Sequence, residues 1–68
     1  MQLQPHQQRV IVERDELSVK LAKLIVFIKS NDFAKKVQDE RERGRLTQQK
    51  DIMSQYLDIL NERIDAFK

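Results

Sequence analysis

No cysteine occurs in this chain, and histidine, glycine and proline occur once each. The missing thiols exclude disulfides and thiolate metal sites, and a lone histidine is a poor start for a histidine-based metal cluster. So little glycine and proline leaves little turn chemistry, as expected of long helices. No run of about 18 apolar residues is present, which excludes a membrane-spanning helix. The opening residues are polar and lack the apolar stretch of a secretion signal. These absences together fit a cytosolic protein. Charge of one sign is not in excess either: 13 Lys and Arg against 11 Asp and Glu give a net charge of +2. That balance disfavours a strongly basic nucleic-acid binder.

What is present is charge, at 35% of residues, laid over apolar stripes. A chain of 68 residues is one small domain. A domain this short buries only about 60% of the surface its unfolded form exposes, so its core is marginal. Disulfides, metal or oligomerisation usually make up the shortfall. With the first two removed, oligomerisation remains.

Leu17, Leu21, Leu24 and Ile28 recur at spacings of four, three and four, and the stripe extends back to Val10. Positions three or four apart share one face of an α-helix. Val12, Val19, Ala22 and Val26 form a second stripe, which at about 100° per residue falls nearly opposite the first. One partner helix cannot cover both. Pro5 suits the first turn of such a helix, where its missing N–H costs nothing. Nothing breaks the pattern before Lys29, so a helix is expected over about residues 5–29.

Ser30-Asn31-Asp32 is the clearest break, because all three side chains bond readily to local backbone. A turn or short helix is expected over about 30–38, with Phe33 and Val37 closing the end of the core. The charged run from Asp39 to Arg45 reads as the solvated start of a last helix over about 39–67. Gly44 is either a weak point in that helix or its true boundary. Leu46, Met53, Leu57, Leu60, Ile64 and Phe67 then form a near-regular heptad face interrupted by Lys50. Ile52, Tyr56, Ile59 and Arg63 lie on a neighbouring face. The last helix, too, has more apolar width than one partner needs.

The expected fold is all-α: an antiparallel hairpin of two long helices with a short middle helix or turn. Matching the stripes sets Ile28 near Leu46 and Val10 near Ile64. Second faces buried between copies would then make a homo-oligomeric bundle.

No phosphate loop, nucleophile–base pair or metal spacing is found, so no enzyme and no cofactor are expected. The most suggestive cluster is Pro5-His6-Gln7-Gln8-Arg9, at the start of the first helix. Free backbone N–H groups and the helix dipole make such an end attractive to anions. Arg9 adds a planar, bidentate donor that fits phosphate. His6 and Gln7 can bond to ribose or base, while Arg63, Asn61 and Tyr56 approach from the last helix. The bland alternative is that Arg9 and Arg63 pair with Glu13, Glu62 or Asp65, and that Tyr56 packs its ring at an interface.

The residues Pro5-His6-Gln7-Gln8-Arg9-Val10-Ile11, Leu24, Phe27-Ile28, Phe33, Gln49, Met53, Tyr56, Leu57, Leu60, Arg63 and Ile64 also carry a family likeness. In them the chain resembles a group of very small phage proteins named after an open reading frame of a crAss-like phage. Arg41 to Arg45 depart from that pattern, whose turn is less basic and leads into more leucines. The resemblance implies a small helical phage accessory protein acting in the host cytoplasm, and by itself no activity. A weaker analogy is to small homo-oligomeric phage proteins that hold a nucleotide immune signal between subunits without cleaving it.

The leading expectation is therefore a non-catalytic binding module. It would sequester a cyclic nucleotide or ADP-ribose derivative in inter-subunit pockets, with His6, Gln7, Arg9, Tyr56 and Arg63 as ligand-binding residues. The alternative is a helical adaptor or inhibitor of a host protein. Nucleic-acid binding ranks below both, since Arg41, Arg43 and Arg45 alternate with acids, and no membrane partner is expected.

Overall fold

The computed structural model describes residues 2–67. Helix α1 runs Pro5–Lys29, α2 Phe33–Lys36 and α3 Glu40–Asp65, with no strand among the described residues. The two long helices form a hairpin, a rod of 50 × 14 × 14 Å.

Local chemistry sets each boundary. Pro5 opens α1, and Gln7 accepts a hydrogen bond from the Gln4 N–H on its side-chain oxygen at 2.9 Å. Gln8 donates from its side-chain amide to the Leu3 carbonyl at 3.0 Å, tying down the segment before the helix. At the other end Ser30 turns to an extended conformation, and both its N–H and its hydroxyl donate to the Phe27 carbonyl. That spends the serine locally and stops the helix. The single turn of α2 brings Phe33 edge-on to Phe27, with ring centroids 5.3 Å apart.

Asp39 caps α3, its carboxylate accepting from the Arg41 N–H at 2.9 Å. The last helix thus begins one residue after, and ends two residues before, the sequence-based bounds. Ala66 closes it by donating its N–H to the Glu62 and Arg63 carbonyls. Gly44 lies inside α3, exposed, with nothing within 4 Å of where a Cβ would stand. It is a helical residue of low propensity and not a boundary.

The core is thin. Among the described residues Val10, Leu17, Leu21 and Leu60 are the buried apolar ones, and of these Leu60 is fully enclosed. Met53, Leu57 and Ile64 from α3, and Phe67 just beyond its end, pack against the cluster of Val10, Leu17 and Leu60, which puts the two expected stripes face to face. The opposite faces stay open: Val12, Val19 and Val26 on α1, and Ile52, Tyr56 and Ile59 on α3, are all more than 40% exposed. The chain's accessible surface is 5514 Å². A compact monomer of its mass would expose about 4,500 Å².

Candidate functional site

The hydrogen bond from Arg14 Nη1 to Asn61 Oδ1, 3.1 Å long, bridges α1 and α3 and marks one side of the hairpin. Arg14 occupies the gap between Val10 and Leu17 on the inward stripe, so its half-buried stem is packed while its head reaches across. Its Nε also meets Asp15 at 2.7 Å. Arg9 precedes Arg14 by five residues and Arg63 follows Asn61 by two. At about 100° per residue both offsets carry the arginines away from the Arg14–Asn61 side. Arg9 and Arg63 therefore share the other side of the hairpin, near its open end.

Both are exposed, and neither makes an ion pair or a side-chain hydrogen bond among the described residues. His6, three residues before Arg9, is exposed on the same face of α1. Tyr56, seven residues before Arg63 on the same flank of α3, is 41% exposed. At about 1.5 Å per residue it stands roughly 10 Å further along the rod than Arg63.

Gln7 and Asn61 differ from these four. Gln7 is half-buried, and its side-chain oxygen is held by the Gln4 N–H, which leaves its amide N–H groups as the free donors. Asn61 was expected beside Arg63 but lies on the opposite side, bound to Arg14. A position only two residues along a helix is turned by about 200°, so neighbours in sequence were not neighbours in space.

The basic run before Leu46 has a structural role. Arg43 Nη1 donates to the Val37 carbonyl at 2.7 Å and to the Gln38 carbonyl at 3.1 Å. Arg45 pairs with Glu42 at 2.7 Å and stands 3.8 Å from Asp39. Sequence reading missed the special place of Arg43 and Arg14. The available signal was that each sits on an apolar stripe, Arg43 three residues before Leu46 and Arg14 four after Val10. A cation on a core stripe has to send its head to a local acceptor.

A shallow groove of about 420 Å³ opens further along α1, lined by Asp15, Glu16, Val19, Lys20 and Lys23. Among the described residues no three His, Cys, Asp or Glu side chains gather where they could hold a metal. No described helix is long and apolar enough to cross a membrane.

Fold and side chains together define a small all-helical hairpin protein, with two exposed arginines at its open end and apolar residues on its two outer faces. The chain belongs to the Sequestin family, which matches residues 4–66. That span takes in both long helices and each of His6, Gln7, Arg9, Tyr56 and Arg63. No curated protein and no solved structure matches the chain.

Proposed function

We propose that this protein is a phage accessory protein that sequesters a small phosphorylated nucleotide serving as an immune signal. The ligand class is a cyclic nucleotide or an ADP-ribose derivative, held between copies of the chain in the host cytoplasm and left chemically intact. The observation that carries the reading is the pair Arg9 and Arg63: two exposed guanidiniums from different helices, on one side of one end. Guanidinium groups bind phosphate oxygens bidentately and stay charged at any physiological pH. His6 and the amide of Gln7 would contact ribose or base, and Tyr56 would stack on the base. The Sequestin family name, that of a sequestering protein, supports binding over turnover. Tight holding asks only for burial and matched donors, and neighbouring copies would supply the burial.

Thermal unfolding against a panel of cyclic nucleotides and ADP-ribose derivatives tests this. A ligand at 100 times its Kd stabilises the folded state by about 2.7 kcal/mol. In a domain this small that raises Tm on the order of 10 °C. Arg9→Ala and Arg63→Ala should each abolish the rise, and the ligand should be recovered unaltered after denaturation. A flat response across the whole panel would sink the nucleotide reading.

The exposed apolar faces favour one second reading, a helical adaptor that docks on and blocks a host protein. Host-lysate capture that survives Arg9→Ala and Arg63→Ala, but is lost with Val19→Glu, would select it.

A further inference from the structure

We infer that α1 pairs with α1 of a second copy, antiparallel and two-fold symmetric about Val19. The inference rests on the self-association in the reading above and is independent of its ligand. Val12, Val19 and Val26 stand at intervals of seven along the outer face of α1, and they are 55%, 55% and 70% exposed. An apolar repeat of seven keeps one seam of a helix turned toward a partner helix. Ala22, small and exposed, adjoins this seam and permits close approach.

Charge selects the direction. Glu16 and Lys23 are also seven apart and lie on the same edge of the seam. In an antiparallel pair the like edges of the two helices meet. With Val19 on the two-fold axis, Val12 faces Val26 of the partner subunit. Glu16 then stands beside the partner's Lys23, and symmetry repeats that pair on the other half. A parallel pair would instead set the Glu16–Lys23 edge against the edge carrying Asp15, Ser18, Ala22 and Ile25, where Asp15 stands eight residues, about 12 Å, from the level of Lys23 and Glu16 meets no cation at its own level.

Two further observations agree. The shallow groove of about 420 Å³ beside Val19, walled by Glu16, Lys20 and Lys23, lies at the centre of the proposed contact, where the partner's side chains would enter it. The surface of 5514 Å² is also in excess for the mass. That excess is roughly 1,000 Å² over a compact monomer, comparable with the area one partner contributes to a standard interface.

The lack of any native cysteine makes the test direct. Val12, Val19 and Val26 are surface residues, so single cysteine substitutions leave the thin core intact, and circular dichroism checks the helix content of each variant. Under mild oxidation Val19→Cys should form a disulfide-linked dimer. Val12→Cys and Val26→Cys should each stay uncrosslinked alone and form a mixed dimer when combined. Glu16→Lys should weaken the dimer about tenfold or more by analytical ultracentrifugation, and adding Lys23→Glu to it should restore assembly. Equal self-crosslinking at all three positions would overturn the antiparallel direction in favour of a parallel pair. An oligomer by native mass spectrometry in which Val19→Cys does not crosslink would overturn the interface but leave self-association standing. A monomer at every concentration would overturn both. Dimers that crosslink as expected while no nucleotide binds would uphold the interface and reject only the ligand.

Discussion

The two ends of the hairpin use arginine in opposite ways. At the connected end Arg43 is spent on the Val37 and Gln38 carbonyls, and Arg45 on Glu42 and Asp39. Phe27 and Phe33 close the same end ring to edge. At the open end glutamines tie down the helix start, while Arg9 and Arg63 stand exposed without an ion pair among the described residues. The lesson is that a residue type does not carry a role. An arginine near free carbonyls of a tight link becomes a fastener. The same group at an open end, making no ion pair among the described residues, is available to something outside the chain.

The contrast can be broken or sharpened by substitution. The largest effect is expected where both ends depend on one residue. Leu60 is fully enclosed, and Leu60→Ala should cost about 2–5 kcal/mol, enough to unfold much of a marginal domain. Circular dichroism melts would show it. At the connected end, Arg43→Ala strips two carbonyls of a charged donor and should cost about 1–3 kcal/mol in urea titrations. A loss below 0.5 kcal/mol would erase the distinction between the two ends, since that is about the range of ordinary surface substitutions. Gly44→Ala places a methyl group in open space on a helix and should stabilise by about 1 kcal/mol. Arg9→Ala and Arg63→Ala should move stability least, within about 0.5 kcal/mol, while removing any nucleotide-dependent rise in Tm.

The fold was legible because its code is local. Stripes at spacings of three and four name the inward faces of α1 and α3, and Ser30-Asn31-Asp32 marks the only cluster of turn formers between them. For the candidate site, the exposure of its residues was legible and their arrangement less so. His6, Arg9, Tyr56 and Arg63 sit on exposed surface as their residue types suggest. Which side of the rod each occupies depends on how the two helices are rotated against each other, and that rotation is fixed by contacts such as Arg14 to Asn61. Periodicity along one helix says nothing about such cross-helix pairs. Arg43 was hidden for a related reason: its acceptors are backbone carbonyls, which exist at every position and leave no trace in residue identity.

The position of the buried residues along the rod has a dynamic consequence. Val10, Leu17, Leu21 and Leu60 all lie toward the open end or the middle, and no buried residue flanks the α2 link. Backbone amides are protected from exchange with solvent according to the free energy of the opening that exposes them. In deuterated water, label should therefore enter first around the link and the start of α3, near Gly44, and last around Leu17 and Leu60. The covalent connection keeps the two helices within reach of each other, but it is the distant apolar cluster that keeps them closed.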